Sequence, residues 1–232
     1  MWRSMFKVAA ATAVFGIVHS LLASRSAKQA AAKTFGERNR NGLYRVFYIG
    51  QSFVTFGLLA AYIRRQPSRE LYRIEGPLAL LMHIVQAGAL MYATSAARQV
   101  GLRRITGLES FLIWLGDDLV PPEPEAQGPA LDGKGQRHAA GPFAWSRHPL
   151  NFAPLPVLWL WPRMTTNLLA FNTTATLYLI VGSLHEEARL REAFGDGYKA
   201  YLNSGVPFYV PLPKRSGLEL ISDVLNLERE PH

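Results

Sequence analysis

The stretch LYRVFYIGQSFVTFGLLAAYI, residues 43–63, has Arg45 as its only charged residue. As a helix rising about 1.5 Å per residue, it is long enough to cross roughly 30 Å of hydrocarbon. Two comparable apolar stretches flank it, at residues 5–23 and 77–97. Helices that are apolar all round face lipid or are buried on every side, whereas a helix on the surface of a soluble domain keeps one polar face. The sequence therefore predicts three membrane helices within residues 1–97.

The first apolar stretch also has the features of a secretory signal, because Lys7 precedes the run and the small residues Ala23 and Ser24 follow it. Further apolar spans follow directly, so we predict a retained first membrane helix instead. The chain has no cysteine, which excludes disulfides, thiolate metal sites and cysteine nucleophiles.

The net charge of +8 is distributed between the apolar spans and is not gathered on one element with interleaved aromatics, so no nucleic-acid partner is predicted. Five crossings would place 7 of the 25 Lys and Arg on one side of the bilayer and 18 on the other. The positive-inside rule then places the N-terminus outside and the C-terminal region in the cytoplasm. We predict an integral, multi-pass membrane protein, in the inner membrane if the source is bacterial, with the lipid bilayer as a partner.

Residues 98–140 differ in amino-acid composition from the apolar spans that precede them. Prolines at positions 121, 122 and 124 forbid a continuing helix, and the surrounding run is rich in glycine and acidic residues. We predict an exposed cytoplasmic connection, with residues 108–115 as a short helix at the membrane interface that carries Trp114.

A functional C-terminal region is predicted at residues 141–213, followed by a tail at 214–232. Its apolar part, residues 150–161, would reach only about 18 Å as a helix, and extending it back to Phe143 includes three prolines. Broken membrane helices are tolerated where the freed backbone faces protein or a cavity. Residues 167–184 return as a second helix, so the fold class is predicted as an all-α bundle of about five membrane helices, the last two forming a hairpin with a cytoplasmic cofactor site.

Ionisable residues cluster at the two ends of this hairpin, which an antiparallel arrangement brings together. Arg147 and His148 stand at its entry, and His185, Glu186 and Glu187 at its exit. A guanidinium and a carboxylate together suit the two charges of a bound amino acid. Each residue also has an ordinary interpretation, since Arg and His anchor helices at interfaces and Glu187 can pair with a basic residue four positions on.

Two segments resemble the group of isoprenylcysteine carboxyl methyltransferases, phosphatidylethanolamine N-methyltransferases and bacterial methanethiol S-methyltransferases. They are GPFAWSRHPLN, from residue 141, and LHEEARLREAFGDGYKAYLNSGVPFYVP, from residue 184. The earlier HSLLASRSAK is similar to the start of methanethiol methyltransferases and NnrU-type membrane proteins. The chain departs from the pattern at Asn151, where an aromatic is frequent, and at Phe143, where tyrosine is common.

The resemblance implies a methyltransferase that holds S-adenosylmethionine through Arg147, His148, Glu186 and Glu187, with no metal. Arg147 and His148 are also the predicted catalytic residues. The other predicted cofactor contacts are a glycine that permits close approach, a proline and three aromatics: Gly141, Pro149, Phe143, Tyr198 and Tyr201. Residues 194–210 are predicted to fold back over the hairpin mouth, helped by a bend at the glycines of positions 195 and 197.

The predicted acceptor is a small or lipophilic thiol, carboxylate or amine, and a thiol would require a base, for which His148 or His185 is suitable. Two alternatives stay open at this point. One is an NnrU-type protein without catalysis, or one that carries haem on His19, His83, His148 or His185. The other is a membrane reductase that uses NADPH in the same C-terminal architecture.

Overall fold

A computed structural model describes residues 1–116, 119–122 and 140–212. The described elements are, in chain order, α1 (Trp2–Ala23), α2 (Arg25–Phe35), α3 (Glu37–Arg65), β1 (Glu70–Arg73), α4 (Pro77–Val100), α5 (Leu102–Thr106), α6 (Leu108–Gly116), a 3₁₀ turn (Gly141–Ala144), α7 (Pro149–Phe152), α8 (Pro154–Trp159), β2 (Arg163–Thr165) and α9 (Thr166–Leu202).

Four of the described helices, α1, α3, α4 and α9, are long and apolar enough to cross a membrane. Large hydrophobic side chains along them point outward, among them Phe6 and Phe53, each 76% exposed, and Met91, 73% exposed. Exposed apolar surface of this extent suits lipid and not water. The prediction of an all-α membrane helix bundle is confirmed at this level.

The fifth predicted crossing is not a continuous helix. It consists of α7 and α8, of 4 and 6 residues, which begin at Pro149 and Pro154. Backbone carbonyls at the end of α8 are taken up by side chains of neighbouring helices: Gln86 donates to the carbonyl of Val157 at 3.0 Å, and the fully buried Asn172 to that of Leu158 at 2.7 Å. The prolines thus break the helix where α4 and α9 supply replacement partners. The interrupted span that the three prolines predict is a pair of short helices beside the four long apolar helices of the described residues.

A two-stranded antiparallel sheet, which the all-α prediction lacked, closes the end of the bundle far from the predicted site. β1 pairs with β2, with Arg73 opposite Arg163. Glu70 lies between these two arginines, 2.8 Å from Arg73 and 2.6 Å from Arg163. The hydrogen bond from Arg73 is the main cause that lowers the pKa of the Glu70 carboxyl.

The near end of the bundle carries the short helices. A helix is present at the predicted position, as α6, and Trp114 within it packs against α3, where its indole nitrogen donates to Asn39 at 3.0 Å. α2 packs on α3, and Arg25 at its start pairs with Glu192 of α9 at 2.8 Å. Most of the predicted connection 98–140 beyond α6, and the whole tail 214–232, lie outside the described residues.

The long helix α9 changes direction at Gly195, whose backbone is not helical, with φ 46 and ψ −121. A positive φ of this kind is accessible to glycine and strained for other residues. The helix resumes as far as Leu202, and residues 203–212, called the C-terminal segment below, run back toward the entry of the broken helix.

Candidate functional site

The two ends of the predicted hairpin meet at one point, where α7 packs on α9. The side-chain amide of Asn151 makes this junction: it donates to Ser183 at 3.0 Å and to the Glu186 carboxylate at 3.1 Å. Asn151, the residue that departs from the family pattern, therefore orients a carboxylate of the site.

His148 lies between the two adjacent glutamates of α9. Its Nδ1 is 3.5 Å from Oε2 of Glu186 and its Nε2 is 3.3 Å from Oε2 of Glu187. Only 3% of the residue is exposed. Both ring nitrogens of His148 therefore face carboxylates.

Glu187 is the centre of a small ion cluster. One carboxylate oxygen accepts a hydrogen bond from Arg191 at 2.5 Å, and the other lies 3.3 Å from both His148 and Nε of Arg147. Nε of Arg147 is within ion-pair distance but lacks hydrogen-bond geometry. Because Glu187 is buried and lies between two guanidinium groups and the His148 ring, its charge is already compensated within the protein.

Glu186 differs from its neighbour. Its side chain is 30% exposed, against 7% for Glu187, and its described partners are Asn151 and His148. Of the two predicted acidic contacts, Glu186 is the one that still presents a charge to a ligand.

The C-terminal segment folds back over this junction. The backbone amide of Arg147 donates to the carbonyl of Pro207 at 2.9 Å, and the Ser146 hydroxyl donates to the carbonyl of Tyr209 at 2.7 Å. The Phe208 ring contacts the His148 imidazole, with centroids 4.9 Å apart. The segment thus covers the histidine on the side away from α9.

Tyr209 fixes this segment to the broken helix, because its hydroxyl donates to the carbonyl of Asn151 at 2.8 Å. Burial raises the pKa of Tyr209 to about 12. The phenol is therefore neutral at physiological pH and stays a hydrogen-bond donor.

Tyr198 and Tyr201 are 0% and 1% exposed and lie in an apolar cluster with Leu190 and Val206. The Tyr201 hydroxyl donates to the carbonyl of Phe143 at 2.7 Å. As placed, Tyr201 holds the 3₁₀ turn against α9, and neither tyrosine presents surface to a ligand.

The remaining predicted contacts separate into two groups. Phe143 and Pro149 line a small cavity together with Arg147, His148 and Glu186. Gly141 has φ 52 and packs near Gln99, whose Oε1 would lie 3.0 Å from an added Cβ. Its lack of a side chain serves the approach of the turn to α4.

Two cavities meet at the junction. The small one has a volume of about 20 Å³, which is room for roughly one water molecule. The second has a volume of about 900 Å³ and is lined by residues of α1, α2, α3, α7 and α9. Asn151 and Glu186 line both cavities, so the two cavities are neighbours.

The walls of the large cavity could not be predicted from the sequence. His185 lies in it, together with Tyr178 of α9 and residues of the first three helices such as Tyr44 and Tyr48 of α3. The basic residues between positions 25 and 45 are the signal in the sequence that points to this region.

The other candidate histidines have ordinary partners. His19 contacts Ser52 at 3.0 Å and the Tyr48 hydroxyl at 2.5 Å, and His83 contacts Gln86 at 2.8 Å. Within residues 1–116, 119–122 and 140–212, no group of three or more His, Asp or Glu side chains is arranged to hold a metal ion.

Comparison with known proteins gives two partial matches. The chain is 40% identical over 55 residues to a methanethiol S-methyltransferase of Pseudomonas deceptionensis, and 36% identical over 59 residues to methanethiol S-methyltransferase 1 of Bradyrhizobium diazoefficiens. The matches cover 24% and 25% of this chain and 21% of each relative. No family model and no solved structure matches the chain. The partial similarity supports a methyltransferase-like relationship for a segment of the chain.

Proposed function

We propose that this protein is an integral membrane methyltransferase that uses S-adenosylmethionine and crosses the membrane several times, with its site on the cytoplasmic side. Its support is the similarity to two methanethiol S-methyltransferases together with the four apolar helices. The acceptor is a small or lipophilic thiol, carboxylate or amine.

The observation that carries the proposal is the position of Glu186 at the junction of the two cavities. A donor with an amino-acid end and a nucleoside end needs a charged slot joined to a larger space. Arg147 and Glu186 line the slot and match the carboxylate and the ammonium of an amino acid. The large cavity, at about 900 Å³, falls within the range of about 300–1,000 Å³ that is typical of small-molecule sites.

The slot has to widen before it can hold an amino-acid group, because its present volume is about 20 Å³. The C-terminal segment contacts two residues of the slot through Phe208, which packs on His148 and beneath the Arg147 guanidinium. We therefore expect this segment to move outward when the donor enters and to return over it. Such a lid keeps water from a reactive ligand.

S-adenosylmethionine, when bound, supplies an electrophilic methyl group whose bond to sulfur breaks as the bond to the acceptor forms, leaving the neutral thioether. The contribution of this chain is to align the two reactants and to remove water. For a thiol or an ammonium acceptor, a proton must also be removed. His185 lines the large cavity and is exposed there, whereas His148 is enclosed between two carboxylates. We assign His185 as the proton acceptor and His148 as a positioning residue.

The test is calorimetric titration of the purified full-length protein with S-adenosylhomocysteine, the product form of the donor. Glu186→Gln keeps the shape and removes the charge, so we expect a loss of affinity of about tenfold or more. Glu75→Gln, an exposed position at the far end of the bundle, is the matched control and should bind like the wild type. Absence of binding by the wild-type protein would refute the proposal.

A further inference from the structure

The large cavity carries more positive charge than the proposed donor requires. Of the described residues that line it, five are cationic and two are glutamates: Arg25, Lys28, Arg40, Arg45 and Arg189 against Glu186 and Glu192. S-adenosylmethionine is itself a net cation, so it gains nothing from this excess. A net positive cavity concentrates anions.

Two of these arginines have buried nitrogen atoms without a partner. Nε of Arg40, on α3, and Nε of Arg189, on α9, are inaccessible to solvent and have no hydrogen-bond acceptor among the described residues. A buried donor that stays unpaired costs about 1–3 kcal/mol, and more when it is charged. Both arginines also line the large cavity, from different helices, so an anion that enters it meets two guanidinium groups that lack a full set of acceptors.

The start of α2 faces the same cavity, because Ser24, Arg25 and Ser26 line it. A helix N-terminus carries a partial positive charge and unpaired amide groups. This end of the cavity therefore adds to the attraction that the arginine side chains exert on an anion.

We infer that the side of the large cavity formed by α2, α3 and Arg189 binds a phosphate-bearing, net anionic molecule. A phosphate has enough acceptor oxygens to bind the forked donors of two guanidinium groups at once. A single carboxylate has too few oxygens to do so. This site is additional to the proposed methyl-transfer site, and the residues that form it have no part in the transfer. The phosphate can come from a free solute or from an anionic lipid headgroup, since both share this chemistry.

The inference is tested without any methyl donor, so its failure and that of the proposed function are separate results. Wild-type protein in detergent is titrated with inorganic phosphate at constant ionic strength, with chloride as the comparison anion, and its thermal unfolding temperature is followed. In a second arm, the protein is placed in nanodiscs of phosphatidylcholine with or without phosphatidic acid. We expect saturable stabilisation that chloride does not give.

Arg40→Gln and Arg189→Gln should each weaken this effect by about tenfold or more, and Arg40→Lys should retain only part of it, because the charge is kept but the forked donors are lost. The matched control is Arg163→Gln, an exposed arginine at the far end of the bundle. Arg40→Gln and Arg189→Gln lie on different helices. If circular dichroism shows that one of them misfolds, the other still tests the inference.

Stabilisation by phosphate supports a free ligand, and stabilisation by phosphatidic acid alone supports a lipid headgroup. No anion-specific stabilisation in either arm, or an equal loss in Arg163→Gln, would overturn the inference.

Discussion

Nε2 of His148 lies 3.3 Å from Oε2 of Glu187, although 39 positions separate the two residues in the sequence. This contact joins the start of the broken helix to α9 and fixes the geometry of the site. Arg147 lies at the same distance from the same oxygen. Glu187 is therefore the residue around which the cationic groups of the junction are arranged, and Glu186 beside it is left to face a ligand.

Glu187→Ala should act mainly on the stability of the protein and only weakly on the binding of a ligand. It leaves the buried His148 and the partly buried Arg147 without this carboxylate, and breaking a buried ion pair costs about 3–5 kcal/mol. We expect the lower end of that range, because Arg191 reaches solvent. The measurement is the unfolding temperature in detergent.

The control for this variant is Glu192→Ala, which removes a pair between two exposed side chains, with Arg25. Exposed pairs contribute little, so its unfolding temperature should stay close to that of the wild type. An equal fall in both variants would mean that burial of the cluster does not matter.

The approach of the two hairpin ends could be predicted from the sequence, because an antiparallel return must bring residues 147 and 148 near residues 186 and 187. The difference in exposure between Glu186 and Glu187 could not be predicted from the sequence. Successive residues on a helix point about 100° apart. Only the packing of α9 against α7 determines which of them faces the cavity.

The large cavity and the small sheet also could not be predicted from the sequence. The strands have only 4 and 3 residues and no alternating pattern that would announce them. The cavity depends on where α2 and α3 place residues that are far from the C-terminal motifs. Arg40 and Arg189 are separated by most of the chain, and nothing in their local sequences links them.

Gly16→Ala should loosen the packing of α1 on α9. An added Cβ would lie 2.7 Å from Cδ2 of Tyr178, which is closer than such atoms approach in practice. Overpacking of this kind costs about 1–3 kcal/mol. Gly57→Ala is the matched control, because nothing lies within 4 Å of a Cβ at that position on α3. Thermal unfolding in detergent should show a fall for the first variant and none for the second.

The orientation of the chain can be tested with single cysteines, because the sequence has none. Glu75→Cys lies between β1 and α4, at the far end, and Lys33→Cys lies on α2, at the near end; both positions are exposed. With the N-terminus outside, a membrane-impermeant maleimide should label Glu75→Cys in intact cells and Lys33→Cys only after permeabilisation. Labelling of both in intact cells would refute this topology.

Gly195→Ala should weaken the bend that returns the chain to the site. The backbone there has φ 46 and ψ −121, a conformation that costs a residue with a Cβ about 1–3 kcal/mol. We expect faster cleavage by protease between residues 195 and 212, with the membrane helices intact. Gly182→Ala, on the same helix with open space at its Cβ, should leave the cleavage rate unchanged.

Truncation after Asn203 should eliminate binding of S-adenosylhomocysteine, whereas truncation after Leu212 should preserve it. The first truncation removes Phe208, which covers His148, and Tyr209, whose hydroxyl holds the carbonyl of Asn151. It also removes the carbonyls that hold Ser146 and the amide of Arg147. The slot would then be open to water, and its arginine and glutamate would lose the orientation that a zwitterion requires.

The truncation after Leu212 keeps all of these contacts and serves as the matched control. Both proteins should retain the helical circular dichroism of the membrane bundle, because α1 packs on α3 and α9, and α4 on α8, without the C-terminal segment. Calorimetric titration of the two proteins gives the comparison. Normal affinity in the shorter protein would show that the C-terminal segment is not part of the donor site, since Glu186 and Arg147 would then hold the ligand without their cover.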